Sequence, residues 1–545
     1  MLSALLILAG TAHARSTGDD SSASPPFTHA DIIPDDVSLY LQLHNPQTLR
    51  RRVDDCALAR WAGGVIGEGA LADAWQDISA TVGLDAQALF DRYLGENLTI
   101  VIRDERPQWQ WAMISHVPPR ASEELLRRLK ARIQGHRSGI GLYELPEHDL
   151  QIAVSESIML IGPKRRDDLY TDIATAMRRT IDETLAGHEA IAYGRSLDPG
   201  TINVYLRHKG PVGGWSVTVG RLNGQAFDFS HEMRFDRPPR HRGATEFHLD
   251  HCLHNRMPEE TVIALTEPTD LRAGRFEAIL RARLDVELLS PALRESLAGR
   301  QLLIVGSHPA PLDENSEIAM PSLTRAYELV DDGGSAERLH DHMHDLLDTV
   351  NRSIGRPLDL PSREMWDKPV NAVTSIDLAP LTDRIIGSRP AWSAVTVSWA
   401  IFDGPGGRWL LLGSHADHVE TIGRRLSADY HAESCPDWSD LQACGTDPDD
   451  PPRWLAFGQL NAGQATSLLD ALGTNLEAWA HPGHHDRLAR SIGTLAELTG
   501  VLDRVQWRMR RPASDRMHIE VRAEMATGTA CPETAAPPQK HEPPE

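Results

Sequence analysis

The feature that most constrains this chain is an apparent duplication of its strand and helix pattern. Asp36-Val37-Ser38-Leu39-Tyr40-Leu41-Gln42-Leu43 alternates like a half-buried strand, and Asn45, Pro46 and Leu49-Arg50 lead into a helix. Much later, Glu260-Thr261-Val262-Ile263-Ala264-Leu265 reads the same way, with Pro268, Leu271 and Arg272 following. Both segments run from an acidic turn through a strand into a helix opened by proline. Further matches keep the same order. Leu98-Thr99-Ile100-Val101-Ile102 corresponds to Leu302-Leu303-Ile304-Val305-Gly306. The helical spacing of Leu125, Leu126, Leu129 and Ile133 predicts a helix over 121–133. Its counterpart over 335–350 carries Leu339, Met343, Leu346, Leu347 and Val350.

Each half then has a strand, a glycine turn and a helix. Ile158 to Gly162 leads to a helix at about 167–178, and Leu410 to Gly413 leads to one at about 416–426. Each half closes on paired strands: 216–220 with 226–235, and Val505, Trp507 and Met509 with Ile519, Val521 and Ala523. A helical pair at about 462–498 is extra in the second half. The expected fold is α+β, with two tandem repeats at 31–240 and 258–525. Each would be a mostly antiparallel sheet with helices packed on one face.

The ends read differently. Leu2 to Gly10 is a short apolar run followed by Ala12-His13-Ala14, the pattern of a signal peptide over 1–14. The run is too short to span a membrane, and no later stretch is long and apolar enough to do so. Residues 15–30, rich in Ser, Asp and Pro, and 526–545, rich in Pro, are expected to be disordered spacer and tail. Export to the periplasm or the medium follows. The net charge of −22 fits solubility there and argues against nucleic acid as a partner, because no excess of cations can displace phosphate counterions. Of the 55 basic residues only five are lysine, which leaves few carriers for Schiff-base or phosphate-loop chemistry.

This layout resembles the exported bacterial proteins catalogued as domain of unknown function 3352. The resemblance rests on Ile33-Pro34-Asp35-Asp36-Val37 with Leu39, Tyr40 and Leu41, on Leu94-Gly95 before a strand, and on Leu412-Gly413-Ser414 with Leu426. It covers about residues 31–525 and implies location and general layout. It carries over no catalytic residue. The loop holding Cys435 and Cys444, and an amino terminus without a basic residue, depart from the family's pattern.

Candidate chemistry is sparse. Among 25 histidines, His248, His251 and His254 form H-x2-H-x2-H, with Asp250 and Cys252 between them, in the linker at 241–257. These are ligand types for zinc or a similar transition metal, although three-residue steps spread the outer pair around a helix. A polar linker helix is the plainer reading. His481, His484 and His485 form a second cluster in a Pro/Gly loop. Cys435 and Cys444 are the one plausible disulfide in an odd set of five cysteines. Gly306-Ser307-His308 and Gly413-Ser414-His415 recur after apolar strands. An adjacent Ser-His pair rarely supplies a nucleophile with its base, so the glycines are read as turns and Ser414 as a helix cap.

Three functions follow. The first is a non-enzymatic binding or scaffold module whose envelope partner or ligand the sequence leaves open, with no cofactor. The second is a metal-dependent hydrolase using a histidine cluster. The third is a carrier of an apolar ligand lined by Phe227, Phe229, Met233 and Phe235, which alternation places on one strand face.

Overall fold

A computed structural model describes residues 26–44, 97–105, 108–137, 139–145, 150–164, 169–178, 183–197, 200–209, 213–223, 226–237, 257–268, 296–311, 317–330, 374–377, 396–404, 407–426, 456–480 and 482–526, with Tyr93 and a few positions between 334 and 348. The histidines of the 241–257 linker and Cys435 and Cys444 lie outside the described residues. So do both chain ends. The chain divides into two compact units, residues 1–239 with 512–545, and residues 240–511. The carboxyl-terminal strand therefore belongs with the first unit, not with the second as the tandem reading places it.

The first unit is built on β1 (Leu39–His44), β2 (Asn97–Glu105), β3 (Gln108–His116), helix α1 (Pro119–Arg128), β4 (Arg132–Arg137), β5 (Ile140–Leu145), β6 (Leu150–Ser155) and β7 (Ile158–Pro163). Helices α2 (Leu169–Ala176) and α3 (Glu189–Ser196) follow, then β8 (Ile202–Arg207), β9 (Trp215–Asn223) and β10 (Ala226–Arg234). All described pairings are antiparallel. The order β10–β9–β8–β1–β2–β3–β7–β6–β5–β4 follows from the registers.

Alternation in β1 decides what each face does. Tyr40, Gln42 and His44 point one way, and Leu39, Leu41 and Leu43 the other. Tyr40 joins a core with Val101, Ile114, Leu160, Tyr205 and Val217, covered by Ile173 of α2 and Ile191 of α3. Leu39 and Leu41 pack with Ile202 and Val204 on the opposite face. Arg103, buried at 8% side-chain exposure, fastens this region by ion pairs of 2.8 Å to both Asp36 and Asp172.

Helices on one face do not describe this unit. Leu160 and Ala153 enter the core under α2, while their neighbours Met159 and Ile152 pack with Leu125 and Leu126 of α1. Strands that are apolar at both alternating positions need cover on both sides. The helix expected over 121–133 is also shorter. Lys130 takes a φ of 49°, its N–H bonds back to Arg127 and that of Ala131 to Leu126. This left-handed stop ends α1. Ile133 instead lies on β4 and is 60% exposed.

The second unit contains β11 (Thr261–Pro268), β12 (Leu297–Pro311), β13 (Glu317–Leu329), β14 (Thr374–Asp377), β15 (Thr396–Gly404), β16 (Gly407–Gly413) and helix α4 (Ala416–Leu426). After these come β17 (Ala456–Asn461), α5 (Ala462–Thr474), α6 (Leu476–Trp479), α7 (His485–Gly500) and β18 (Leu502–Ala513). Its order is β18–β17–β11–β12–β13–β16–β15–β14, again antiparallel throughout. Strand β19 (Arg516–Met525) pairs with β10. Helix α4 forms because Val419, Ile422 and Leu426 recur on one helical face, and all three are fully buried. Asn461 caps α5 by accepting from Gln464 N–H at 3.1 Å.

Candidate functional site

One face of the second sheet carries two separate apolar clusters. Leu302, Ile304, Ala326, Trp409 and Leu411 pack under Val419, Ile422 and Leu426 of α4. Ala310, Ile318 and Met320 pack under Leu468 and Leu472 of α5 and Ile492 of α7. Strand alternation forces what lies between. Along β12 the residues between Ile304 and Ala310 that share their face are Gly306 and His308. Along β13, between Ala326 and Met320, they are Thr324 and Ser322. Register pairs Gly306 with Ser322 and Gly413 with Thr324. A polar belt therefore crosses this face, and the start of α4 brings His415 and His418 to it.

Each buried imidazole in the belt is held at one nitrogen. His418 Nδ1 lies 2.9 Å from Thr324 Oγ1, and His415 Nδ1 lies 2.8 Å from Ser414 Oγ. Ser414 Oγ also accepts from Leu323 N–H at 2.9 Å. The other nitrogen of each ring, Nε2, is buried and has no hydrogen-bond partner among the described residues; nor does Ser322 Oγ. His308 completes a trio, its ring centroid 4.2 Å from that of His415. Burial first, then the neighbouring imidazoles, pushes His415 and His418 down to about 4. His308 moves the same way, chiefly through burial. All three rings are neutral near pH 7.

The glycines matter here. A Cβ on Gly306 would stand 2.6 Å from His418 Nε2 and 3.0 Å from Ser322 Oγ. Those are two of the three unpartnered atoms. One on Gly413 would meet Val419 and Thr324. Glycine inside a strand weakens it, and one use of such a residue is to let another group approach closely.

The two Gly-Ser-His triplets, distant in sequence, meet at this belt. Gly306 is not the turn the sequence reading made it; it sits inside a fifteen-residue strand. Ser414 binds the backbone of β13 and its own neighbour His415. The clue available beforehand was the recurrence itself, since both triplets follow apolar strands expected to lie in one sheet.

The first unit has a belt of its own. Tyr40 OH donates to Gln42 Oε1 at 3.2 Å, His29 Nδ1 and Thr99 Oγ1 are 2.8 Å apart, and His44 pairs with Asn97. The His29 ring stacks on His116 at 5.2 Å. Burial, reinforced by His116 and His44, pushes His29 down to about 3.

A third histidine group joins β10 and β19. His518, 2% exposed, lies 3.4 Å from the carboxylate of buried Glu232 and 3.0 Å from that of Glu520. Tyr193 OH is 3.0 Å from His518 Nδ1. Its partners surround it completely, so it reads as a clamp on β19. On the far face of β10, Phe229 lies against the glycine at position 220, and Phe229 and Met233 are half-buried. Outside these groups, His485 Nε2 is 3.2 Å from Ala480 O, a local tie.

Among the described residues, no three His, Cys, Asp or Glu side chains are already grouped to hold a metal ion. No described helix is long and apolar enough to cross a membrane.

Fold and site together define a mostly antiparallel α+β protein with a buried polar belt in each unit. No known protein family matches the chain. No curated protein matches it either. Among solved structures it is similar to crystal form III of TP0453, with a TM-score of 0.25 and 8% identity, over 41% of this chain and 84% of that one. Crystal form I of TP0453 aligns over 60% of this chain and 99% of that one, with a TM-score of 0.24 and 10% identity.

Proposed function

We propose that this protein is an exported, non-enzymatic binding module of the cell envelope, and that the belt of the second unit is its binding centre. The observation that carries the reading is the set of three buried polar atoms, His415 Nε2, His418 Nε2 and Ser322 Oγ, without partners. Leaving one such group unsatisfied costs about 1–3 kcal/mol. Folded proteins tolerate that mainly where a water, an ion or a ligand completes the site. The belt lies between the cluster under α4 and the cluster under α5 and α7. Export rests on the signal-like first fourteen residues, and kinship with the domain of unknown function 3352 family belongs to the same proposal.

Duplication is part of the reading. The order β8–β1–β2–β3–β7 of the first unit and β17–β11–β12–β13–β16 of the second share one connectivity. That favours two copies of one ancestral unit.

The test has two arms. Expressed in a bacterial host, the full chain is expected in the periplasmic fraction, and a variant lacking residues 1–14 in the cytoplasm. The purified protein is then screened by thermal shift against metal ions, small carboxylates and phosphate. At least one class should raise the midpoint, and Gly306→Leu, which crowds His418 Nε2 and Ser322 Oγ, should abolish that shift. A shift unchanged in Gly306→Leu, or none with any class, overturns the binding centre.

A further inference from the structure

We propose that β4, with the end of α1 beside it, is a docking edge for an extended acidic peptide, which joins the first unit's sheet as a further strand. This surface belongs to the first unit and does not depend on the belt of the second.

Three observations carry it. First, the edge is open. Among the described residues β4 pairs with β5 and with no other strand. The outer side of an edge strand presents a row of N–H and C=O groups, a template for another chain. Five of the six residues of β4 are exposed, Ile133 to 60%, and a Cβ added at Gly135 would meet nothing within 4 Å.

Second, the edge is cationic in an acidic chain. From Pro119 to Arg137 stand Arg120, Arg127, Arg128, Lys130, Arg132 and Arg137 against Glu123 and Glu124, a local charge of 6 − 2 = +4 in a chain of −22. All six cations are exposed. Third, the fold does not use most of them. Arg128 takes Glu124 at 2.8 Å. Glu144, the carboxylate opposite Arg132 on β5, is already bound by Gln134 and Lys164. Arg120, Arg127, Lys130, Arg132 and Arg137 have no ion pair among the described residues.

Register sets what an added strand would meet. Arg132 and Arg137 lie opposite Glu144 and Ile140, on one face of β5, while Ile133 and His136 lie opposite Tyr143 and Gly141 on the other. The irregularity between Ile133 and Gly135 is what brings two arginines five positions apart to the same side. A strand of alternating acidic and apolar residues fits this edge, with carboxylates toward the arginines and apolar groups toward Ile133. In strand addition the main-chain hydrogen bonds give affinity and the alternating side chains give specificity.

Two other occupants fit less well. A second copy's β4 would bring its own arginines up to these, and such repulsion is the ordinary use of charge on a sheet edge. That repulsion excludes the chain itself and favours an acidic strand. An anionic membrane surface would use the cations and leave the backbone of the edge unpaired.

The experiment uses the full chain and a short fluorescent peptide of alternating Glu and Val, read by anisotropy at low and high salt. Saturable binding is expected, weakened by salt, with slowed hydrogen exchange at the amides of residues 132–137. A peptide with Lys for Glu should not bind. Arg127→Glu with Arg132→Glu and Arg137→Glu should weaken binding about tenfold or more, with circular dichroism and the thermal midpoint checking the fold. The milder pair Arg132→Gln with Arg137→Gln should weaken it about threefold and keeps the test decisive if the triple variant does not fold. Methylating alternate backbone nitrogens of the peptide blocks strand pairing and leaves its charge unchanged; it should weaken binding about tenfold or more. No binding, binding that survives loss of the arginines, binding indifferent to backbone methylation, or protection outside β4 overturns the proposal. So does binding of phosphatidylglycerol vesicles through the same arginines without binding of the peptide, which would make the edge a membrane surface.

Discussion

The two units solve the same problem with different residues. Each has a sheet face that is apolar over most of its area and polar across a belt, and each belt holds a buried histidine against a threonine. In the first unit that is His29 on Thr99, and the surrounding places are filled by Gln42, Asn97 and Asn203. In the second it is His418 on Thr324, and the places beside it are Gly306 and Gly413. Amides carry donors and acceptors to their neighbours and occupy volume. Glycine does neither. The same imidazole chemistry is thereby flanked by amides in one unit and by glycines in the other.

The clamp at His518 extends the contrast, because there the histidine faces carboxylates rather than hydroxyls. The largest expected effect tests that difference. His518→Ala leaves the buried Glu232 carboxyl and the Tyr193 OH without this partner, and should cost about 1–3 kcal/mol of stability. Urea unfolding followed by tryptophan fluorescence would read it. A loss below 1 kcal/mol would mean that the contacts of His518 do not hold β19 in place.

Next comes pH. His29 is held at about 3, and His231, His415 and His418 at about 4, against 6.5 in the unfolded chain. The unfolded chain thus takes up protons first on acidification. Stability should be fully present above pH 6.5 and fall steadily between about pH 6.5 and 4. Thermal midpoints across that range would show the slope. His415→Gln with His418→Gln should flatten it if the second unit's belt contributes; an unchanged slope would assign it to the first unit alone.

A smaller effect compares the two His–Thr pairs directly. Replacing both partners of a buried hydrogen bond by apolar groups of similar shape can be nearly neutral. His418→Leu with Thr324→Val should therefore change stability by no more than about 1 kcal/mol. The matching pair His29→Leu and Thr99→Val should cost more, since His29 also stacks on His116. Equal losses in chemical denaturation would erase the distinction. The smallest effect is at the surface. Arg424 pairs with Glu420 one helical turn away on α4, and Arg424→Ala should cost about 0.3–0.5 kcal/mol. A larger loss would show that α4 is held by charge as well as by its apolar face.

Alternation and helical spacing alone made much of the fold legible. The strands at 39–43, 98–102, 158–162 and 410–413, and the helix over 416–426, lie where period-two and period-3.6 patterns put them. The misses have identifiable causes. The pattern at 121–133 continued past the end of α1 because a helix stop at Lys130 is a matter of backbone conformation, and lysine gives no sign of it. The histidines of the belt were visible as residues but not as a group. Metal-like spacing drew attention to His248, His251 and His254, which lie outside the described residues. His308 and His415 are more than a hundred residues apart and meet only through β13.

What the sequence determined by itself is local. It set which segments pair or coil, the acidic charge, and the recurrence of Gly-Ser-His after two apolar strands. Those follow from side-chain period and composition, which act over a few residues. Only the tertiary structure decided that β13 lies between β12 and β16, and so brings Gly306, Ser322, Thr324 and Gly413 into one row. It also decided that β19 pairs with β10, placing His518 against Glu232. Strand order and register are set by which faces must be buried together across long stretches of chain. No local pattern encodes that, because a strand's alternation states that it has two faces and not which neighbour each face will meet.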